Sequence, residues 1–293
     1  MFLVAGNLTV DYVNGVRRPG GFAYYASIAL RLLREEVGVA SCIGEDYPVD
    51  YLEFLKRMGI KLFLSMNNSS TIFRLEYYND TRILRLESQG GQIELASILS
   101  SILRSNSIND LVLLLGPVAG ELGVEDIVYA KKYSNRIVVE VQGFIRRFTR
   151  TGEILYEWTS DFIEALRNVM LVHVSEDEAR ILGEVEETVL FLSKYARIVA
   201  LTMSSKGSLV GYNGSLYHIG VPRIYEGDPT GAGDTYTAVF ASYLSRGYEP
   251  VEAARHATIA AGLKIYRSNV TSKWFNRLEL EELAKSVEVE RIY

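Results

Sequence analysis

Short, wholly apolar runs alternate with helix-spaced apolar residues through most of this chain. Phe2–Ala5, Val37–Ile43, Leu111–Leu115, Ile137–Val141, Val169–Val174 and Ile198–Thr202 are nearly continuous in Val, Ile, Leu, Phe and Ala. A strand apolar on both sides must be covered on both sides, so these runs predict a mostly parallel sheet packed between helices. The helical period falls between them, at Ala23–Leu33, Val49–Met58, Leu122–Tyr133 and Glu176–Leu182. Two further short strands, Ser208–Tyr212 and Ser215–Ile219, precede a helical C-terminal third at Gly233–Ser245, Pro250–Tyr266 and Leu278–Val287. The chain therefore reads as one α/β domain over residues 1–293.

Lys61–Leu86 breaks the rhythm. It contains three extended pieces, KLFLSM, STIFRLEYY and TRILRLE, separated by turn residues at Asn67-Asn68-Ser69 and Asn79-Asp80. The alternation in RLEYY and RILRLE predicts a half-exposed antiparallel layer beside the main sheet. Residues 61–88, with 9–18, are expected to form this small β flap. The pattern fits a lid over a site and an edge extension alike.

A net charge of −5, from 31 Lys plus Arg against 36 Asp plus Glu, argues against a general nucleic-acid binder. No apolar run approaches the roughly 20 residues of a membrane span. The apolar start lacks a basic leader and reads as a first strand. The single cysteine, Cys42, permits no intrachain disulfide and fits a reducing compartment, so a cytoplasmic protein is expected. His173, His218 and His256 lie far apart, without zinc-site spacing. His173, inside LVHV, reads as a core histidine satisfied by a neighbour.

The most informative segment is Asp228-Pro229-Thr230-Gly231-Ala232-Gly233-Asp234, which ends where a helix begins. Helix N-termini leave N–H groups unpaired and carry partial positive charge. Small residues there let the backbone close on an anion, making Gly231, Ala232 and Gly233 a candidate cradle. This is neither a P-loop, since no Gly-Lys-Ser/Thr follows, nor a G-x-G-x-x-G, since Tyr236 stands at the third glycine. Asp234 fits two roles on local pattern: a helix cap, or a base for an attacking hydroxyl.

DPTGAGDTYTAVF resembles the C-terminal signature of ribokinase-like (phosphofructokinase-B type) carbohydrate kinases, D-[TS]-x-G-A-G-D-x-F, with archaeal inositol-kinase-like members the most similar. The resemblance extends over nearly the whole chain. It implies a three-layer α/β/α fold with a β lid, and ATP-dependent phosphorylation of a sugar or polyol hydroxyl, inositol-like acceptors being preferred. It makes Asp234 the general base and Gly231, Ala232 and Gly233 the anion hole. Pro-Gly20-Gly21 followed by FAYYASIALRLL resembles the family's N-terminal signature, with Tyr25 where an Asn usually contacts substrate. Asp11 stands where the family grips substrate hydroxyls, a task that suits a carboxylate. TMSSKG, at Thr202, Ser204 and Gly207, resembles a T-x-G-x-x-G turn beside the ATP phosphates, with Ser204 replacing the first glycine. SEDE resembles N-x-x-E, with Ser175 replacing the Asn and Glu178 retained to help hold Mg²⁺ through water. Gln142 and Arg146, in the VQGFIR run, are candidate substrate contacts; Arg's forked donors suit a phosphate or acidic group.

The alternatives kept open are a nucleoside kinase of the same fold, with Tyr24 and Tyr25 stacking on a base, and a non-catalytic nucleotide-binding regulator. Substrate, donor preference, a requirement for a monovalent cation, and a homodimer through the β flap are all left open by the sequence.

Overall fold

The computed structural model describes residues 1–78, 81–105, 110–223, 226–268 and 273–293. The chain begins β1 (Phe2–Ala5), β2 (Thr9–Val13), β3 (Val16–Gly20), α1 (Phe22–Leu32), β4 (Val37–Gly44), α2 (Val49–Arg57) and β5 (Lys61–Asn67). It continues through β6 (Thr71–Tyr78), β7 (Thr81–Ser88), α3 (Leu95–Ser105), β8 (Val112–Leu115), α4 (Val124–Ala130), β9 (Arg136–Glu140) and α5 (Gln142–Ile145). A short hairpin, β10 (Arg146–Phe148) and β11 (Ile154–Tyr156), leads to α6 (Ser160–Ala165), β12 (Leu171–Ser175), α7 (Glu176–Ala179) and α8 (Val185–Leu192). The last elements are β13 (Ile198–Thr202), β14 (Ser208–Tyr212), β15 (Ser215–Ile219), α9 (Ala232–Ser245), α10 (Pro250–Tyr266), α11 (Arg277–Leu283) and β16 (Val289–Arg291).

Among the described residues, ten strands form the central sheet in the order β16-β15-β14-β13-β12-β9-β8-β1-β4-β5. Pairing is parallel from β5 to β13 and antiparallel from β13 to β16. Successive side chains of a strand point to opposite faces, so each apolar run feeds two cores. In β1, Phe2 and Val4 join the core under α1, α2, α9, α10 and α11, while Leu3 and Ala5 join the core under α3, α4, α6, α7 and α8. This is the three-layer arrangement that the apolar runs predict. Each fully buried Leu, Val or Ile contributes about 1.5–3 kcal/mol relative to exposure.

A second sheet, in the order β3-β2-β6-β7, lies beside the first. Its membership corrects the sequence reading. Lys61–Asn67 is not part of this flap: β5 pairs in parallel with β4, Gly38 opposite Lys61 through Gly44 opposite Asn67, and forms the edge of the central sheet. The half-exposed pattern of an edge strand mimics that of a flap strand, while the chain leaving α2 closes a β-α-β crossover. The flap is built instead from 9–20 and 71–88, and its β2–β6 pairing is parallel, with antiparallel pairs on either side. The Asn79-Asp80 turn lies outside the described residues. The β10–β11 hairpin braces the flap, where Leu86 N–H donates to Gly152 O at 2.9 Å.

Among the described residues, four helices escape the sequence reading: α3, α5, α6 and α8. Leu122–Tyr133 and Glu176–Leu182 are helical over shorter spans, α4 and α7. Two glycines fix the chain where helices meet the cleft. Gly21 caps α1 with φ 89° and Gly231 caps α9 with φ 76°, conformations that strain any residue with a Cβ.

Candidate active site

The carboxyl ends of the parallel strands open into a cleft of ≈ 870 Å³, roofed by the flap residues Phe73, Leu75 and Leu84. Open α/β sheets present their strand ends to ligands in this way. The chain leaving β1 supplies Asp11, β9 ends in Glu140 ahead of Gln142 and Arg146, and β12 carries His173 and ends before Glu178. The turn after β13 supplies Thr202, Ser204 and Gly207. The N-terminus of α9 closes the floor with Gly231, Ala232, Gly233 and Asp234.

Asp234 stands in the first turn of α9, half-buried and open to the cleft. Burial, then the nearby Glu140 carboxylate, pushes its pKa up to about 7 against the pull of His173, Lys264 and Arg146. The left-handed turn at Gly231 is enforced by Tyr25: a Cβ there would lie 2.2 Å from the ring. Ala232 N–H donates to Pro229 O at 3.0 Å, so the cradle differs from the three-residue set that the motif implies. Helix geometry leaves the N–H groups of Gly231, Gly233 and Asp234 as candidate donors.

Behind Asp234 lies a buried polar chain. Thr237 Oγ1 donates to Glu140 Oε2 at 3.0 Å, the same oxygen lies 2.5 Å from His173 Nδ1, and His173 Nε2 pairs with Thr202 Oγ1 at 3.0 Å. Burial opposes a charge on His173, but the Glu140 carboxylate outweighs it and holds the pKa above the usual range. His173 is thus a satisfied buried histidine, and it also lines the cleft.

Glu178 is 4% exposed. Ser175 N–H and Oγ both donate to Glu178 Oε2, at 2.9 and 2.7 Å, which ties the carboxylate back to the N-cap residue of α7. Burial and then Glu140 raise the Glu178 pKa, with Arg146 opposing. A buried carboxylate whose charge is opposed by a second one nearby suits a site where a cation arrives with its ligand. Among the described residues no cluster of three or more acidic, His or Cys side chains could hold a metal.

Ser204 has φ +53°, so the serine keeps a conformation that glycine favours. Gly207 has φ +94°, and a Cβ there would lie 2.1 Å from Ile219 O. Asp11 is in strand β2, ahead of the Asn14-Gly15 turn, and accepts from Thr9 Oγ1 at 2.6 Å. Gly20 does not line the cleft; it sits behind Asp11, where a Cβ would lie 2.1 Å from Asp11 Oδ2. Tyr25 lines the cleft with its ring stacked on Trp274, centroids 6.2 Å apart, whereas Tyr24 is buried against Phe54. The Nε of Arg146 is buried without a hydrogen-bond partner. Glu140, His173 and Lys264 are the site residues that sequence reasoning misses. The available signal was a charged side chain inside an apolar element: Glu140 in IVVEV and Lys264 in AAGLKIY.

A family model described as pfkB family carbohydrate kinase matches residues 154–276, a span that includes Glu178, Thr202–Gly207 and Gly231–Asp234. Inositol 3-kinase from Zea mays is 30% identical over 139 residues, 47% of this chain and 35% of that protein. The chain spans about half the length, or less, of the first curated relatives it matches. A solved pyrophosphate-dependent kinase of the ribokinase family, complexed with a pyrophosphate analog and myo-inositol, superposes with TM-score 0.78 at 20% identity, covering 97% of this chain and 99% of that one. Nucleoside kinase from Burkholderia thailandensis, complexed with inosine, gives TM-score 0.76 at 16% identity, covering 98% and 97%. The fold is that of the ribokinase-like α/β proteins, with a large, mostly parallel central sheet. The part of the chain over residues 154–276 is thus similar to the pfkB family of carbohydrate kinases.

Proposed function

We propose that this protein transfers the terminal phosphoryl group of ATP to a hydroxyl of a small sugar or polyol, with inositol-like acceptors preferred. The observation that carries the reading is Asp234. It is a carboxylate whose pKa is pushed up to about 7, set at a helix N-terminus on the floor of a cleft that also holds Asp11 and Glu178. A base with a pKa near the working pH is well matched to proton abstraction.

In this reading Asp11 and Gln142 hold acceptor hydroxyls under the apolar roof of Phe73, Leu75 and Leu84. Asp234 removes the proton from one hydroxyl as its oxygen bonds to the γ-phosphorus. The bond to the leaving ADP oxygen breaks. The N–H groups of Gly233 and Asp234 and the Arg146 guanidinium face the charge on the transferring group, where positioning and charge stabilisation supply most of the catalysis. Thr202, Ser204 and Gly207 border the donor phosphates. Glu178, with Glu140 beside it, would hold a hydrated Mg²⁺, which neutralises phosphate charge. The flap excludes water, the competing acceptor. The protein is proposed to act in the cytoplasm, with the flap as its dimer surface. Among the described residues no helix is long and apolar enough to cross a membrane.

The nucleoside reading loses support because Tyr24 packs in the core and Tyr25 is engaged by Trp274 and Gly231. The regulator reading rests on Ser175 and Ser204. Ser175 is the N-cap residue of α7 and holds the Glu178 carboxylate, and Ser204 retains the positive φ, so neither departure dismantles the site. The test is consumption of ATP, and separately of pyrophosphate because a compared kinase is pyrophosphate-dependent, across inositols, hexoses, ribose, ketodeoxygluconate and nucleosides. Turnover on a sugar or polyol is expected. Turnover on nucleosides alone, or ATP binding with no turnover, would overturn the reading.

A further inference from the structure

Lys264 lies in the last turn of α10, where a lysine commonly reaches solvent, yet it is 2% exposed. Its Nζ donates to the backbone carbonyls of Asp228, at 3.1 Å, and of Thr230. The ammonium also lies 5.2 Å from the centroid of the Tyr25 ring and 6.0 Å from that of Trp274. Among the described residues no carboxylate touches it directly. The Asp228 carboxylate is taken by Arg18 at 3.0 Å and by Thr230 N–H at 2.9 Å. Carbonyl oxygens and aromatic faces are the ligands that strip a monovalent cation of its water. An ammonium on a tether therefore fills what is chemically a cage for a potassium-sized ion. The cage walls are the residues that set the anion cradle, since Asp228–Thr230 leads into the left-handed turn at Gly231 and Tyr25 packs on that turn.

We propose that Lys264 is the built-in monovalent cation of this catalytic loop. It fixes the Asp228–Gly231 turn so that the first N–H groups of α9 face the transferring phosphoryl group, and it leaves the protein with no need of dissociable K⁺ or NH₄⁺. The proposal rests on the kinase reading for its catalytic consequence and makes Lys264 a positioning residue. Burial draws the lysine down to about 8, and Asp228 and Asp234 oppose that pull, so the side chain is charged at neutral pH.

The test compares wild type, Lys264→Ala and Lys264→Met in chloride salts of K⁺, NH₄⁺, choline and tetramethylammonium at equal ionic strength. Wild-type turnover is expected to be the same in all four. Lys264→Ala opens the cage and is expected to lose about 100-fold in kcat in choline, the scale of a misplaced catalytic group. NH₄⁺ or K⁺ should restore at least about tenfold of that, and tetramethylammonium, too large for two carbonyls to grip, should restore none. Lys264→Met keeps the volume without the charge and is expected to stay slow in every salt. The second readout needs no turnover: the melting temperature of Lys264→Ala should rise in K⁺ or NH₄⁺ over choline, and that of wild type should not. Size-selective melting without turnover on any acceptor would sink the kinase reading and leave the cation cage standing. Potassium activation of wild type, a fully active Lys264→Met, or an Ala variant indifferent to the cation in both readouts would overturn the proposal.

Discussion

Replacing Gly231 with alanine separates two costs that the structure places on one atom. With φ at +76°, an L-residue there pays about 1–2 kcal/mol for the left-handed backbone. The added Cβ would also lie 2.2, 2.4 and 2.5 Å from three atoms of the Tyr25 ring. That ring cannot swing away freely, because it stacks on Trp274 and shields Lys264. Overpacking of this kind costs about 1–3 kcal/mol more, for a total of about 2–5 kcal/mol. Gly214→Ala isolates the first cost, since φ is +73° and nothing lies within 4 Å of the added atom. Urea denaturation of both variants with matched slopes measures the difference. In a Tyr25→Ala background the steric part should vanish, leaving about 1–2 kcal/mol for Gly231→Ala. Turnover should fall about 100-fold, because the strained turn displaces the N–H groups that face the phosphoryl group. Equal destabilisation by Gly231→Ala and Gly214→Ala, or additivity with Tyr25→Ala, would refute the reasoning.

Other consequences follow from the same geometry. The rate should rise with pH through about 7 as Asp234 ionises and fall above about 8 as Lys264 discharges, with Glu140, His173 and Arg146 setting the field around Asp234; a flat profile of kcat from pH 6 to about 9 would contradict both assignments. The raised pKa of Asp234 means that the folded state holds a proton which the unfolded state releases near 3.8, so its ionisation costs stability between that value and about 7. Asp234→Asn should therefore melt higher than wild type at neutral pH, by about 1–3 kcal/mol after allowance for its open side. Ser204→Gly should stabilise by about 0.5–1 kcal/mol and leave kcat intact, since the backbone already has the glycine-favoured φ of +53°. Loss of activity in that variant would give the Ser204 hydroxyl a direct role.

The sheet was legible because a buried parallel strand announces itself locally, as at Val112–Leu115 and Ile198–Thr202. The Asp228–Asp234 segment was legible because its small residues and its acid are consecutive. Local pattern failed at Lys61–Asn67, where an edge strand of the main sheet carries the half-exposed alternation of a flap strand. It also failed wherever function depends on partners distant in sequence. Glu140 meets His173 and Thr237 only through the sheet and α9, 33 and 97 residues away. Lys264 reaches Thr230 and Asp228 from α10, 34 and 36 residues on. In the charged start of α7, local composition does not show which acid is buried: Asp177 is exposed while Glu178 is buried. Gly20 reads as a ligand contact, and its demand for space proves to be set by Asp11.

The central claim is that Asp234 is the base for phosphoryl transfer. It is tested most directly by single-turnover ADP formation from ATP, with Mg²⁺ and the accepted sugar or polyol, in wild type and Asp234→Asn. The account predicts that the variant still binds ATP and melts no lower than wild type, yet transfers about 10³–10⁴-fold more slowly. A folded Asp234→Asn variant that turns over at close to the wild-type rate would contradict it.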